Sequence, residues 1–437
     1  MKNIVGLKCI KCGKEYSEKN VKYVCLSCGG NLDVIYNYSE IKKRFARVTL
    51  TADENFSIWR YFQLLPFHLP FTVYRLPTLH IGWTPLYHAE NLSQKYGFPN
   101  LYLKDDGKNP SASFKDRASA IVVVKGQELQ PLTANRHPPI FITASTGNAG
   151  CALACVCANL QLPCVIFVPK TTPKAKIAQL LLFGAKVIAV NGTYDDAFDL
   201  SLKASEQFGW YCRSTGYNPY TREGKKTAAL EICEQLHWKV PDKVFVPVGD
   251  GNIISGIWKG FKDFHSLGFI DKFPQLIAVQ SEKSNAIAKA VADTSAQVKR
   301  VASVSEIKIE PVKATTIADS ISVDMPRDGI AAVKAVLESK GFAIEVSDDE
   351  ILKSIKEIAE NEGIFSEPAA ATSFAGFKKA VKENKIKDNE TVVCLLTGNG
   401  LKDIESAMKI AGEPILIEPE IAEVKKILDK NAIFYYF

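Results

Sequence analysis

The chain has 437 residues, 46% of them hydrophobic and 23% charged, with a formal net charge of +6 at pH 7. That length suits two or three domains with large cores, and the composition is ordinary for a globular protein. No block of like charge stands out, and no apolar run reaches the roughly 18 residues that cross a bilayer, so neither nucleic acid nor a membrane is an expected partner. The N-terminus turns polar too soon for a signal peptide, and the eleven cysteines do not form a secreted disulfide pattern. A cytoplasmic protein is expected.

The first segment, 1–36, carries Cys9-x2-Cys12 and Cys25-x2-Cys28, each pair followed by glycine. Glycine there permits the tight knuckle that aims two thiolates at one ion, and four thiolates suit tetrahedral zinc. The segment reads as a zinc-ribbon-like module with a structural metal; a different metal, or none, is the alternative. Thioredoxin-like chemistry fits less well, since it needs one such pair beside a βαβ unit.

Residues 37–83 are aromatic-rich and read as helices and a connector. Beyond them, short Val/Ile/Leu-rich runs at 101–104, 139–144, 164–169, 186–190, 243–248, 275–280 and 391–398 alternate with helical stretches. Little polar alternation within the runs predicts strands buried on both faces, and strand–helix alternation predicts an α/β fold with mainly parallel, doubly wound sheets. The stretch 287–313 reads as a surface connection. The end of the chain, 413–437, reads as a helix and an aromatic tail that packs on its own body or on a partner subunit.

The segment Asn109-Pro-Ser-Ala-Ser-Phe-Lys-Asp-Arg117 turns into an apolar-periodic helix with Lys115 at its start. A lysine there feels the positive end of the helix dipole, which lowers its pKa and makes it a nucleophile toward an aldehyde. The plain alternative is an exposed lysine beside a solvated Asp116–Arg117 pair. Three loops weigh against that alternative. Ala144-Ser-Thr-Gly-Asn-Ala-Gly150 and Val246-Pro-Val-Gly-Asp-Gly-Asn-Ile-Ile-Ser-Gly256 each join a buried strand to a helix and offer backbone N–H groups to an anion. Thr397-Gly-Asn-Gly-Leu-Lys-Asp403 closes another buried strand, where open α/β sheets hold ligands.

SFKDR, ASTGNAG, VPVGDGN and LLTGNGLKD, in that order, resemble the fold-type II pyridoxal-phosphate enzymes, and among them the chain is most similar to threonine synthases, over roughly residues 80–412. The resemblance implies pyridoxal 5'-phosphate as cofactor and a small amino acid as substrate. It implies that Lys115 holds the cofactor as a Schiff base and shuttles protons, with Phe114 against the ring. Asn148 would bond the phenolic oxygen, Gly249, Asp250, Gly251, Asn252 and Ile253 would cup the phosphate without needing a lysine, and Thr397 would face the pyridine nitrogen. Ser145 and Thr146 would grip the substrate carboxylate. It further implies a large domain from 37–110 and 214–412, a smaller mobile domain at 111–213, and a homodimer.

The pattern departs from threonine synthases in the substrate-phosphate residues. Ala149 stands where many carry a hydroxyl, Thr221 where many carry arginine after Asn-Pro-Tyr, and Gly216 replaces a frequent serine. Lys104, Arg213 and Arg222 are the cations expected to compensate. The leading reading is conversion of O-phospho-L-homoserine and water to L-threonine and phosphate. The alternatives are β-replacement on O-phosphoserine as in a cysteate synthase, a threonine/serine dehydratase, and, from another class, a regulator whose cysteine module binds a nucleic acid or protein.

Overall fold

The computed structural model describes residues 3–21, 23–68, 74–130, 138–145, 147–172, 174–298 and 307–430. Its strands in chain order are β1 (Ile4–Cys9), β2 (Glu15–Tyr16), β3 (Leu32–Tyr36), β4 (Leu86–His88), β5 (Leu101–Asp105), β6 (Phe141–Ala144), β7 (Cys164–Pro169), β8 (Lys186–Val190), β9 (Tyr211–Cys212), β10 (Lys243–Pro247), β11 (Gln275–Ser281), β12 (Phe342–Val346) and β13 (Val392–Leu396). They form a three-stranded sheet β2-β1-β3, a six-stranded sheet β12-β11-β10-β13-β5-β4 and a four-stranded sheet β8-β7-β6-β9. The four-stranded sheet is parallel throughout, and the six-stranded sheet is parallel except where β4 meets β5. The fold is therefore α/β with two mainly parallel sheets, plus a small antiparallel sheet that carries the four cysteines.

Burial explains which strands the sequence announces. β6, β7, β10 and β13 are buried along their whole length, since helices cover both faces. Three strands lack that signal: β4 is a mostly exposed edge, β9 has two residues, and β12 alternates at the far edge. β8 also departs from expectation: as an edge it is largely exposed, not buried on both faces. The stretch after residue 285 begins as a helix, Ala286–Val298, which corrects its reading as a surface connection. Ile287, Ala290 and Val291 recur at helical spacing and are buried. The aromatic tail, 431–437, lies outside the described residues.

The sheets converge on one place. The C-terminal ends of β6, β10 and β13 run into the loops that precede the helices Asn148–Leu160 and Asn252–Leu267 and the turn Gly400–Lys402. The helix Lys115–Leu129 starts at that same level. It is buried on nearly all sides and packs against the helices Asn148–Leu160 and Tyr220–Lys225. Gly224 makes the second contact possible: a Cβ there would lie 2.1 Å from the Arg117 carbonyl oxygen.

Candidate active site

The start of the Lys115 helix is tied to the end of β13. The Phe114 N–H donates to the Thr397 carbonyl at 2.9 Å, and Ser113 pairs with Gly398. The turn before it is sharp because Ala112 takes φ 63°, a left-handed conformation uncommon for alanine. Phe114 is fully buried and Thr397 nearly so. Lys115 itself is half-buried, and its pKa falls from 10.5 to about 8. Burial is the main cause and the Arg213 charge the second, while Asp250 and Glu367 pull the other way. The expected lowering is there, with desolvation leading it. The neighbours Asp116 and Arg117 are fully buried, so the solvated pair of the plain alternative does not exist. Burial raises the Asp116 carboxyl to about 6 against two bonds from Ser111.

A small cavity of about 30 Å³ is lined by Lys115, Thr215, Lys225, Ser320 and the run from Pro247 to Ile254. Two glycines shape it. A Cβ on Gly249 would lie 2.8 Å from the Ile321 Cα, and Gly251 sits at φ 87° with no room for a side chain against Ala332. Backbone N–H groups thus crowd toward the start of the helix Asn252–Leu267, which suits a phosphate dianion. The Asp250 carboxylate accepts from the Arg327 N–H at 3.1 Å. Lys225 is the lining residue that sequence reasoning passed over, because an EGKKT run on a helix looks like solvated surface. It is fully buried, and its ammonium has no hydrogen-bond or ion-pair partner among the described residues.

Asn148 opens the helix on the other side of the cleft. Its amide donates to both Glu367 carboxylate oxygens, at 2.9 and 3.0 Å, and to the Ser320 hydroxyl at 3.3 Å. Burial holds the Glu367 carboxyl up at about 7, with the Asn148 bond and the Lys402 and Lys115 charges opposing. Asn148, Glu367, Ser320 and Lys402 line a second cavity of about 270 Å³. Ser320 therefore belongs to both cavities, with Asp319 lining the larger one and Ile321 the smaller. Ser145 is buried at the end of β6 and accepts from the Gly147 N–H at 3.3 Å. Thr146 lies outside the described residues.

The residues expected to meet a substrate phosphate need correction. Lys104 is fully buried behind the site, donating to Glu231 at 2.7 Å, Gln235 at 2.8 Å and the Thr84 carbonyl at 2.7 Å. Arg222 is equally committed: it forks onto Asp328 at 2.6 and 2.7 Å and also reaches Asp33 and Ser255. Neither has a charge to spare. One position along a helix is a turn of about 100°, so arginine at 222 faces Asp328 while Thr221 bonds the Asn218 carbonyl. Gly216 has φ 77° and its Cβ would lie 3.0 Å from the Arg327 side chain, so serine does not fit this turn. Arg213 differs from both: it is fully buried, its Nε and Nη1 donate to Ser119 and Thr215, and its Nη2 has no hydrogen-bond partner among the described residues.

In the N-terminal module, the four cysteine sulfurs lie within 4.8 Å of one another, with Cys9–Cys28 at 3.5 Å and Cys12–Cys25 at 3.6 Å. A tetrahedral zinc with bonds of about 2.3 Å separates its sulfurs by about 3.8 Å, so the geometry fits a metal. Both knuckles use a left-handed glycine, Gly13 and Gly29. The module also touches the site's support, since Asn31 donates to Asp328 at 2.7 Å and Asp328 holds Arg222, Asn252 and Ser255.

Residues 77–398 match the family described as "Pyridoxal-phosphate dependent enzyme". Threonine synthase from Methanocaldococcus jannaschii is 39% identical across 96% of this chain and 98% of its own. The enzyme of the same name from Methanosarcina acetivorans is 38% identical across 97% and 98%. Among solved structures, the processed form of threonine deaminase isoform 2 from Solanum lycopersicum superposes with a TM-score of 0.61 at 25% identity, covering 75% of this chain and 83% of that one. Diaminopropionate ammonia lyase from Escherichia coli, at 18% identity and a TM-score of 0.61, shares the fold.

Proposed function

The chain belongs to the pyridoxal-phosphate dependent enzymes, and from that premise we propose that it converts O-phospho-L-homoserine and water into L-threonine and inorganic phosphate. The observation that carries this is a depressed lysine, Lys115, set against a glycine cradle inside a chain similar to threonine synthases over nearly its full length.

Bound pyridoxal 5'-phosphate supplies an electron sink for negative charge at the substrate's Cα. The residues of this chain do the rest. With a pKa near 8, Lys115 has a sizeable neutral fraction near neutral pH, so its Nζ can take the Cα proton and return it. Gly249 to Ile253 would hold the cofactor phosphate, Asn148 would bond the phenolic oxygen and Thr397 would serve the pyridine nitrogen. Ser145 and Thr146 take the substrate carboxylate. Arg213, with its buried unpaired Nη2, takes the phosphate of the substrate in place of Lys104 and Arg222. Loss of a Cβ proton would accompany departure of phosphate from Cγ. Cγ would then gain a proton to become the methyl, water would add its oxygen at Cβ and release a proton, and Lys115 would return the proton to Cα.

The test offers purified protein O-phospho-L-homoserine, O-phosphoserine with sulfite, threonine and serine, and follows phosphate, threonine and 2-oxo acids. Threonine and phosphate in equal amounts from the first substrate are expected. A 2-oxo acid from threonine, with no phosphate from the first, would replace this reading with a dehydratase.

A further inference from the structure

Most buried cations in this protein are paired. Lys226 sits on Glu223 and Asp263 at 2.6 Å, and Lys259 on Asp33 at 3.0 Å and Glu223 at 3.4 Å. Lys225, the adjacent residue, has neither a hydrogen-bond nor an ion-pair partner among the described residues. No acid bonds it directly: Asp328 accepts from Arg222, Asn252, Ser255 and Asn31, Asp250 accepts from the Arg327 N–H, and both act on Lys225 only through space, pulling its pKa up. Burial, with the Lys115 and Arg213 charges, pushes its pKa well below the usual lysine value.

The packing delivers this amine on purpose to one spot. Gly256 lies one turn into the helix Asn252–Leu267, and a Cβ there would come within 2.8 Å of the Lys225 Cβ. That glycine lets the lysine stem lie against the helix, and Lys225 lines the same cavity as Gly249, Gly251 and the helix N-terminus. A buried ammonium without a counter-charge is costly, and the cost is removed by a dianion that joins it from solution.

We propose that Lys225 is the counter-ion of the cofactor phosphate, closing the glycine cradle with a direct charge-assisted bond. The inference rests on the reading that residues 249–253 hold that phosphate. It also means that the cup does need a lysine, supplied from another helix.

The test uses the full-length chain freed of cofactor, as wild type, Lys225→Gln and Lys225→Met, titrated with pyridoxal 5'-phosphate and with pyridoxal, which lacks the phosphate. Visible absorbance reports binding and melting temperature reports the fold. Loss of one charge-assisted bond predicts roughly 10–100-fold weaker pyridoxal 5'-phosphate binding. Pyridoxal binding stays within about twofold, since no phosphate is there to be held. Inorganic phosphate raises the melting temperature of the wild type and not of the variants. The cofactor-free variants melt at or above the wild type, because an unpaired cation has been removed. Equal losses for both aldehydes, or unstable cofactor-free variants, would overturn the proposal in favour of a structural lysine. Unchanged cofactor binding with a raised KM for a phosphorylated substrate would move the phosphate to the substrate. A wild type that binds both aldehydes equally would instead bring down the cradle reading itself.

Discussion

Two regions a short distance apart along the same helix bury cations and treat them in opposite ways. Behind the site, Arg117 and Lys104 share Glu231 and Asp106 in a closed cluster with Thr84 and Thr227, all fully or nearly fully buried. Burial alone would raise the Glu231 carboxyl, but Arg117 and Lys104 outweigh it and hold it at about 2. At the site, Lys225 and the Nη2 of Arg213 have no hydrogen-bond partner among the described residues, and Asp250 and Glu367 act on Lys115 only through space. Burial lowers the amine in both regions, Lys104 included, although Glu231 pulls Lys104 back up; what differs is that the closed cluster uses its donors to fix geometry and the open one leaves donors for a ligand. Charge type alone does not distinguish structure from chemistry. Pairing does.

Breaking each region separates the two roles. In the open region, Lys115→Ala removes activity by about 10³-fold or more, and borohydride-reduced protein then yields no pyridoxyl adduct on the peptide carrying SFKDR, while the melting temperature holds. A stable adduct elsewhere in the variant would contradict the assignment. In the closed region, Glu231→Gln leaves two buried cations short of a carboxylate. It should cost about 3–5 kcal/mol of stability, measured by denaturant unfolding. A change under about 1 kcal/mol would mean the cluster is not load-sharing in the way its geometry implies.

Titration sharpens the contrast. Capture of pyridoxal 5'-phosphate by the cofactor-free chain needs neutral Lys115, so its rate should climb with pH and level off above about pH 8. A rise continuing toward pH 10 would mean an undisturbed lysine. For stability the sign is the reverse of an ordinary ion pair. Lys115 has a folded pKa below its unfolded value of 10.5, so its ionisation costs stability below about pH 8, and that cost fades as pH rises from 8 to 10.5. Glu367, raised from 4.5 to about 7, acts in the other direction: stability falls as pH rises through that window.

The four-cysteine cluster is a third arrangement, with its sulfurs gathered at a spacing that fits a metal. Chelation should loosen residues 1–36 first and, through Asn31 and Asp328, weaken cofactor affinity by a few fold, about 1 kcal/mol. Hydrogen exchange and cofactor titration would report the two effects. Least consequential is the exposed Arg327–Asp195 pair at 3.0 Å, which joins the loop before the helix Gly329–Glu338 to the helix Tyr194–Phe208. Asp195→Asn should change stability by less than about 0.5 kcal/mol.

Features written in contiguous residues were legible from the sequence. Strands buried on both faces announce themselves as apolar runs, a glycine loop between a strand and a helix marks a close-packed cavity at a helix start, and two CxxC pairs mark a four-cysteine cluster. All depend on backbone conformation or on neighbours a few residues away. Strands β4 and β9, too exposed or too short to carry a pattern, did not show.

Which cation is spent and which is free was decided by tertiary structure. The partner of Lys104 lies 127 residues further along the chain, and Arg222 meets Asp328 across 106 residues. Lys225 and Lys226 are consecutive and chemically identical, yet one faces Glu223 and Asp263 and the other faces a glycine cradle. A helix turns about 100° between them, and only the packing around it, including the missing side chain of Gly256, sets what each amine meets.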